Sequence, residues 1–505
     1  MYSAQTDLVS ATTIEIEIDI TKSGIPAFQV VGLPDKAIEE SRERVNAALK
    51  NSGFKQPKQM KTVVSLAPAE IRKEGPAFDL PIALGFLLAD GDSGVSFDPE
   101  HKLFLGELTL GGNVQSITGA LPLVIHAKNA GFKQVFIPAG NAEEVAIVSG
   151  IEIFPVNSLR QVIDHLNIDR DEQEVSVKIS PLTHQPVQKQ ESKAVVDFAD
   201  IAENDHAKRA LLIAAAGGHN IAMYGPAGTG KTMMAKAFCG ILPSLSYEQV
   251  LEVSSIHSYV GTLGSGYISR PPFRSPHHTA SHVSIIGGGT IPKPGEVTLA
   301  HRGVLFMDEF PEFDKRVLES LREPLEDAEV HISRARGTVT FPSDFILVAA
   351  LNPPSAVYRG DAASITVAEQ RKFKKKLSGP IMDRIDLWIE VPKISFETLM
   401  QKDTGRQSSA DLQIIVSHCR DLQKKRFGHE LLNAQMNTKT ITEKIPLENE
   451  VKKILDQAAT RMDFSPRVYH KMIKVARTIA DIEQCPDIKT EHILEALAFR
   501  PKEII

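Results

Sequence analysis

The spacing of apolar residues changes along the chain and predicts different elements in different stretches. TTIEIEIDI, residues 12–20, alternates polar and apolar positions, which is typical of a strand with one buried face. AIEESRERVNAALKNSGF, residues 37–54, has helical spacing and ends at Gly53. KTVVSLAP, KLFLGELTLGG and KQVFIPAG predict further strands. Residues 1–167 therefore predict a domain that mixes strands with short helices.

The remaining pattern predicts a linker and two more domains. Residues 168–196 are polar, with little apolar periodicity, which indicates a linker that could carry one edge strand. Between 197 and 393 apolar strands alternate with helices, which favours an α/β domain with a mostly parallel sheet. Residues 394–505 are helical in pattern, and the clearest helix begins with Ser465 as N-cap and Pro466 at its first position.

Composition narrows the class of protein. The chain has 505 residues, of which 42% are hydrophobic and 24% charged, as in ordinary soluble proteins. Its net charge of −6 means that any contact with DNA must come from a local patch. The three cysteines are far apart, which excludes a disulfide framework and a sequence-local cysteine zinc site. No apolar run is long enough to span a membrane and no signal peptide is visible, so we expect a cytoplasmic protein.

A glycine-rich loop between an apolar strand and a helix predicts a nucleotide site. Such a loop turns its backbone N–H groups toward phosphates, while its lysine reaches the β and γ phosphates and its last hydroxyl binds Mg²⁺. An incidental glycine-rich turn is the alternative, but the strand before and the helix after favour phosphate binding. The eight residues of this P-loop are Gly225, Pro226, Ala227, Gly228, Thr229, Gly230, Lys231 and Thr232.

Two later strands end in polar side chains that suit the same site. GVLFMDEF, residues 303–310, ends in Asp308, which could hold Mg²⁺ through water, and Glu309, which could polarise the attacking water. Such a pair can also simply cap the next helix, but its distance from the P-loop favours catalysis. FILVAALNPP, residues 345–354, ends in Asn352, whose amide could orient the water or cap a turn before Pro-Pro.

Basic residues further along leave several alternatives open. RKFKKK, residues 371–376, is either a solvated helix face or a contact for a polyanion. Arg384 lies between aspartates in DRID, where it could form surface ion pairs worth under about 1 kcal/mol each. VHISRARGTVTF, residues 330–341, predicts a hairpin with Arg334 and Arg336 at its tip. That tip is either an exposed turn with solubilising charge or a sequence-independent contact for DNA phosphates.

The motifs occur together in an order that resembles AAA+ ATPases. The P-loop, the Asp-Glu strand, the Asn strand, SGPIMDRIDL and SPRVYHKMIK follow one another as in the Mg-chelatase-like branch, and specifically the ComM/YifB family. FRSPHHTAS and GGGTIPKPGEVTLAHRGVLFMDEF look like further signatures of that family. The resemblance covers nearly the whole chain. It implies an α/β multidomain fold with a Lon-protease-like (S5-like) α+β domain over 1–167, an AAA+ domain over 197–393 and a helical lid over 394–505.

The resemblance also implies roles for two arginines and an assembly. Arg384 would be an arginine finger that reaches the nucleotide of a neighbouring subunit, and Arg467 a second sensor that couples nucleotide state to the lid. A finger that acts in trans requires a ring, so the resemblance implies a hexamer with ATP and Mg²⁺ as ligands. The hairpin with Arg334 and Arg336 would project into the central pore.

The chain departs from the family pattern after the Asn strand. The family usually carries a cysteine cluster after the Asn strand, but residues 352–378 contain none, so no thiolate zinc site can form there. RKFKKK could take over the role of that cluster. His277, His278 and His282 have a metal-like spacing but no evident carboxylate partner, and we expect no zinc.

The N-terminal domain lacks the residues of a Lon-like protease. Ala77 stands where such peptidases carry the nucleophilic serine, and Leu121 replaces the activating lysine. Without nucleophile or base there is no acyl transfer, so an ATP-dependent protease is excluded. The expected function is an ATPase that acts on single-stranded or branched DNA as a branch-migration helicase. The alternative is a chelatase-type or protein-remodelling ATPase that does not act on DNA.

Overall fold

The computed structural model describes most of the chain and divides it into two compact units. The described residues are 1–7, 10–22, 25, 27–54, 60–73, 75–167, 178–187, 196–264, 266–289, 292–334, 337–352, 379–393 and 407–500. The first unit consists of Met1–Gln188 and Tyr247–Ile268, and the second of Lys189–Ser246 and Ser269–Ile505. The predicted boundaries at 167, 196 and 393 stay predictions. Tyr247–Ile268 lies inside the predicted ATPase domain along the chain, but it packs with the N-terminal residues.

The first unit contains two main sheets. One has the order β1-β2-β4-β3 and is antiparallel except for the parallel pair β3–β4; its strands are β1 (Tyr2–Asp7), β2 (Ser10–Thr21), β3 (Ala27–Val31) and β4 (Lys61–Ala67). The other is parallel with the order β5-β8-β9, formed by β5 (Lys102–Phe104), β8 (Gln134–Pro138) and β9 (Glu152–Val156). A short ribbon pairs β6 (Glu107–Leu108) with β7 (Val114–Gln115). The predicted strands are confirmed, with KLFLGELTLGG forming two short strands, β5 and β6.

Helices pack on these sheets around one core. They are α1 (Lys36–Asn51), α2 (Asp79–Ala89), α3 (Ala120–Asn129), α4 (Ala142–Val145), α5 (Leu159–Leu166) and, from the later segment, α8 (Tyr247–Val260). Asp35 caps α1 by accepting from the Ile38 N–H, and Gly53 follows the helix with a φ of 86°. The alternating residues Ile14 and Ile16 are buried in this core, as the period-2 pattern predicts. Leu121, at the position of the missing lysine, is also buried.

The described part of the predicted linker packs against the first unit. Residues 178–187 contain no strand, but the N–H of Leu182 donates to the carbonyl of Ile153 at 2.7 Å. The N–H of Gln185 donates to Ala146 at 2.9 Å, and Ile179 is buried in the core. This part of the linker is therefore held in place by backbone hydrogen bonds.

The second unit is built on a parallel sheet of five strands. Their order is β11-β14-β17-β10-β18, and every neighbouring pair is parallel. The strands are β10 (Ile221–Tyr224), β11 (Phe273–Arg274), β14 (Val304–Met307), β17 (Ile346–Leu351) and β18 (Leu387–Glu390). The central strands are fully buried because helices cover both faces, which explains their continuous apolar runs. The predicted parallel sheet is confirmed.

The helices of the second unit come from two stretches of the chain. The helices before residue 393 are α6 (Asp205–Gly217), α7 (Lys231–Ile241), α9 (His282–Ile286), α10 (Glu296–Leu299), α11 (Lys315–Ser320), α12 (Arg322–Asp327) and α13 (Gly379–Met382). The C-terminal helices are α14 (Ser409–Phe427), α15 (Thr438–Lys444), α16 (Asn449–Arg461), α17 (Pro466–Ile482) and α18 (Thr490–Ala498). Ser465 caps α17 by accepting from the Val468 N–H, which confirms the predicted helix start.

Two short ribbons complete the second unit. Gly287–Gly288 (β12) pairs with Lys293–Pro294 (β13). Glu329–Arg334 (β15) and Gly337–Pro342 (β16) form an antiparallel hairpin directly after α12. The hairpin predicted around RARG is therefore confirmed, whereas Arg336 and the side chain of Arg334 lie outside the described residues.

Candidate nucleotide site

The P-loop joins β10 to α7, and glycine is needed at its positions for different structural reasons. A Cβ on Gly225 would lie 2.2 Å from the carbonyl oxygen of Val391, so the approach of the neighbouring backbone requires glycine there. Gly228 and Gly230 have φ angles of 80° and 88°, which L side chains rarely adopt. Thr229 donates its hydroxyl to the carbonyl of Pro226 at 3.1 Å, which closes the loop around Ala227. The loop thus has the wrapped backbone that phosphate binding needs.

The ammonium of Lys231 is held over the start of the P-loop. Its ammonium donates to the carbonyls of Gly225 and Pro226, each at 2.8 Å, and the residue is buried. Burial lowers the pKa of Lys231, and the carboxylate of Asp308 acts in the opposite direction. An ammonium in this position adds positive charge where the loop presents its N–H groups.

Thr232 and Asp308 form a pair of hard oxygen donors. The Thr232 hydroxyl donates to Asp308 Oδ2 at 3.0 Å, although the two residues are 76 positions apart. The other oxygen, Oδ1, accepts from the backbone N–H of Glu309 at 2.9 Å. Mg²⁺ that binds nucleotide phosphates takes few protein ligands, and a hydroxyl with one carboxylate is such a set. The residues present therefore fit Mg²⁺.

Glu309 is positioned by its backbone and by a histidine that sequence reasoning did not assign. Its φ and ψ are 51° and 42°, an uncommon left-handed conformation for a residue other than glycine. His278 Nδ1 lies 3.1 Å from Glu309 Oε2. The ring of His277 lies 4.2 Å from that of His278, centroid to centroid, and its own Nδ1 bonds Thr279 at 2.8 Å. His278 thus has the carboxylate partner that was not evident in the sequence.

Asn352 follows β17, the strand between the other two motifs. The carbonyl of Leu351 accepts from the Gly225 N–H at 3.2 Å, so the end of β17 lies against the start of the P-loop. The side chain of Asn352 is exposed. Because β10, β14 and β17 are parallel, the P-loop, Asp308, Glu309 and Asn352 all follow strand ends at one edge of the sheet, here named the carboxyl edge.

Arg384 lies at the opposite, amino edge of the same sheet. Its carbonyl accepts from the side chain of Asn220, the residue before β10, at 3.1 Å. The same side chain accepts from the N–H of Leu347, near the start of β17, at 2.8 Å. The four residues of β10 separate this point from the P-loop by roughly 13 Å at 3.3 Å per residue.

Arg467 joins Arg384 on one carboxylate. Arg384 NH2 lies 2.5 Å from Oε2 of Glu326, and Arg467 NH2 donates to Oε1 of the same residue. Burial alone would raise the pKa of Glu326, but hydrogen bonds from Arg467 and Arg384 lower it below its ordinary value. The structure therefore brings the two predicted arginines together, but not at the edge that carries the P-loop. Sequence reasoning did not find Glu326.

A group of potential metal ligands in the lid is explained by hydrogen bonds. Among the described residues, one group of three such side chains is close enough to share an ion, namely Glu483, Cys485 and His492. His492 Nδ1 accepts from the backbone N–H of Lys489 at 2.9 Å, so the ring proton lies on Nε2, which faces Glu483 at 3.1 Å. This tautomer leaves no ring lone pair for a metal.

The whole chain is similar to known proteins. It matches the families described as "Subunit ChlI of Mg-chelatase" over residues 16–141, "Magnesium chelatase, subunit ChlI" over 197–399 and "Magnesium chelatase, subunit ChlI C-terminal" over 406–500. The competence protein ComM of Haemophilus influenzae is 39% identical over 502 residues, which cover 99% of this chain and 97% of ComM. The chain belongs to the Mg-chelatase-like ComM/YifB family. YifB of Escherichia coli is 38% identical over 499 residues, 97% of this chain and 95% of YifB.

Family membership confirms the predicted fold class. The Mg-chelatase-like family accounts for the mixed α/β units, the parallel sheet behind the P-loop and the C-terminal helices. Lon protease 2 of Bacillus subtilis is 27% identical over 183 residues, 32% of this chain and 31% of that protein. No described helix combines the length and the apolar character that crossing a membrane requires.

Proposed function

We propose that this protein is a hexameric ATPase that moves along DNA as a branch-migration helicase in recombination or transformation. The observation that carries the proposal is the division of the candidate site between two edges of one sheet. The P-loop, Asp308, Glu309 and Asn352 follow strands at the carboxyl edge, whereas Arg384 lies at the amino edge. A complete site therefore needs the carboxyl edge of one subunit and the amino edge of another.

The carboxyl edge supplies phosphate binding and water activation. Lys231 and the loop N–H groups would bind the β and γ phosphates of ATP. Thr232 and Asp308 would hold Mg²⁺, which neutralises charge on the phosphate oxygens. Glu309 would take a proton from the attacking water, and Asn352 would orient it. The products are ADP and phosphate.

The amino edge supplies the arginines in trans. A guanidinium beside the transferring phosphoryl stabilises the charge that develops there, and such a finger is worth on the order of 10³–10⁵ in rate. Because Arg467 contacts the same carboxylate as Arg384, we assign both arginines to the nucleotide of the neighbouring subunit. A contact of one edge with the opposite edge of the next copy is head-to-tail, and such contacts generate a ring when the rotation between copies closes, as this proposal requires.

The assignment to DNA rests on the hairpin and on the relatives. β15 and β16 form a hairpin in which Arg334 pairs with Gly337, the first and last residues of the predicted RARG tip. In a ring these tips would give the pore positive charge without base-specific contacts. The relative from Haemophilus influenzae is named a competence protein, which agrees with work on incoming single strands. We expect the ring to act in the cytoplasm on single-stranded or branched DNA.

The test is ATP hydrolysis with and without branched DNA at two salt concentrations. We expect DNA to stimulate hydrolysis and the stimulation to weaken with salt, because phosphate contacts release counterions. The variant Arg334→Ala/Arg336→Ala should keep its basal hydrolysis and flatten the salt dependence of DNA binding. An unchanged slope would remove the hairpin from the DNA path.

A chelatase-type or protein-remodelling ATPase is the second candidate. Three families match along the chain, and the description of each names magnesium chelatase, which favours this second function. Hydrolysis that is sensitive to Arg384→Ala but indifferent to DNA at both salt concentrations would support this second function over the first.

A further inference from the structure

Glu326 binds both members of the arginine pair, Arg384 and Arg467. Each carboxylate oxygen takes one guanidinium, at 2.5 Å for Arg384 and in a direct hydrogen bond for Arg467. An anion held by two guanidinium groups has the same arrangement that a terminal phosphate would have between them. Glu326 thus occupies the partner position that the proposed function assigns to nucleotide.

Exposure shows that the finger is withdrawn in this conformation. The side chain of Arg384 is 9% exposed, whereas that of Glu326 is 37% and that of Arg467 is 44% exposed. The carboxylate is therefore more accessible than the finger that it binds. To reach a phosphate on another subunit, the Arg384 guanidinium must leave its sheltered position beside Glu326.

We propose that Glu326 is a positioning residue that holds Arg384 and Arg467 on their own subunit and competes with the neighbour's nucleotide phosphate for them. The inference rests on the proposed function and adds its regulation. The arginines can bind the phosphate only after Glu326 has released them. The apparent affinity for ATP is therefore reduced in proportion to the fraction of molecules in which the arginines are released. Loss of the Glu326 charge should therefore tighten the binding of ATP between subunits.

The position of Glu326 explains how release of the arginines from its carboxylate could affect other elements of the subunit. Glu326 lies in α12, and Ala328 leads directly from that helix into β15. One turn earlier, Glu323 accepts from the backbone N–H of His331 in β15 at 3.0 Å and lies 2.6 Å from its ring Nδ1. The helix that carries the carboxylate is thus bonded to the base of the hairpin.

The first experiment compares Glu326→Gln with the parent in steady-state hydrolysis over a range of ATP concentrations. Glutamine keeps the shape and removes the charge. We expect the KM for ATP to fall about 3- to 10-fold, while kcat stays within about twofold. Glu326→Asp keeps the charge and should stay closer to the parental KM. An unchanged KM in Glu326→Gln would overturn the inference, and so would a fall in kcat as large as that of Arg384→Ala.

Glu319→Gln is the matched control. Glu319 belongs to the preceding helix, α11, and pairs with Lys315 at 3.6 Å on the exposed surface. The same loss of charge there should leave KM and kcat at parental values. An equal fall of KM in both variants would show that general surface charge, and not the arginine pair, sets the affinity.

A second experiment asks whether Glu326 acts through the arginines. Binding of a fluorescent non-hydrolysable ATP analogue is measured with and without Glu326→Gln, in the parent and in Arg384→Ala/Arg467→Ala. We expect tighter binding in the parental background and no change when both arginines are absent. A shift of the same size in both backgrounds would overturn the inference.

The two levels of proposal fail in different ways. If Arg384→Ala hydrolyses ATP at the parental rate, the trans assignment of the finger is wrong whatever Glu326 does. If Arg384→Ala is inactive and Glu326→Gln keeps the parental KM, only the role of Glu326 is wrong.

Discussion

Glu309 and Asp308 are adjacent in the chain, but the structure gives their carboxylates separate partners. Asp308 bonds the Thr232 hydroxyl, and Glu309 lies beside His278. The backbone at Glu309 is left-handed, with φ 51° and ψ 42°. The two proposed roles, holding Mg²⁺ and taking a proton from water, are thus assigned to carboxylates with different partners.

This separation leads to a prediction for Glu309→Gln. The amide cannot act as a general base, so we expect hydrolysis to fall by about 10²- to 10⁴-fold while ATP binding is kept. Binding is measured with a fluorescent nucleotide and turnover by phosphate release. Glu312→Gln, on the exposed surface three residues later, should hydrolyse at the parental rate. A fall in nucleotide affinity that matches the fall in rate would show instead that Glu309 holds the ligand.

At the scale of residues, the sequence predicts the local motifs but not the residues distant in the chain that contact them. The P-loop and Asp308 could be predicted because a Gly-rich loop and a strand-terminal carboxylate are contiguous in the chain. Glu326 could not, since it meets Arg467 across 141 positions and its neighbours resemble any charged helix. The sequence around His278 shows only a metal-like spacing of histidines, because nothing local places its ring beside Glu309.

At the scale of elements, α17 is tied to the sheet by a cluster around Asp386, the residue before β18. Lys471 Nζ of α17 lies 3.1 Å from Asp386 Oδ1, and His219 Nδ1 lies 3.5 Å from Oδ2. The N–H of Asn220 donates to Oδ2 at 3.2 Å. Burial alone would raise the pKa of Asp386, but the charge of Lys471 and the adjacent His219 ring lower it well below its ordinary value of 3.8.

This lowered pKa predicts a pH dependence of stability with a definite sign. A carboxyl group with a lower pKa in the folded state contributes its full stability above the unfolded value, and loses it as the pH falls toward the folded value. We expect Asp386→Asn to be less stable than the parent by about 3–5 kcal/mol at pH 7. The difference in free energy of unfolding should shrink as the pH falls below about 4. Urea unfolding at pH 7, 5 and 3.5 measures it, and a difference independent of pH would contradict the assignment.

Elements with strong periodicity could be predicted, whereas the grouping of one segment could not. β2, β4 and α17 follow directly from alternation, apolar runs and the Ser-Pro start of the helix. Tyr247–Ile268 packs with the N-terminal unit, where the hydroxyl of Tyr247 donates to the carbonyl of Ile147 at 3.0 Å. Its sequence shows only an ordinary helix between two parts of the predicted ATPase domain. Such packing depends on long-range contacts that a local pattern does not record.

At the scale of the whole molecule, the decisive feature is that the two halves of the candidate site face opposite ways. Lys231 belongs to the carboxyl edge and Arg384 to the amino edge of the same sheet. A single subunit cannot bring both to one nucleotide without breaking the parallel strands between them. Activity should therefore depend on contact between copies, and it should fall on dilution as the copies separate.

Mixing two inactive variants tests this arrangement directly. Lys231→Ala lacks phosphate binding and Arg384→Ala lacks the finger, so each alone should be inactive. In a mixture, the intact P-loop of an Arg384→Ala subunit can meet the intact finger of a Lys231→Ala subunit. We expect activity to return to up to about a quarter of the parental rate, because random head-to-tail pairing makes about one contact in four complete. Lys231→Ala mixed with Lys231→Ala/Arg384→Ala is the control and should stay inactive, since no P-loop is intact. If the test mixture stays inactive although size-exclusion chromatography shows mixed assemblies, Arg384 does not act on a neighbouring subunit.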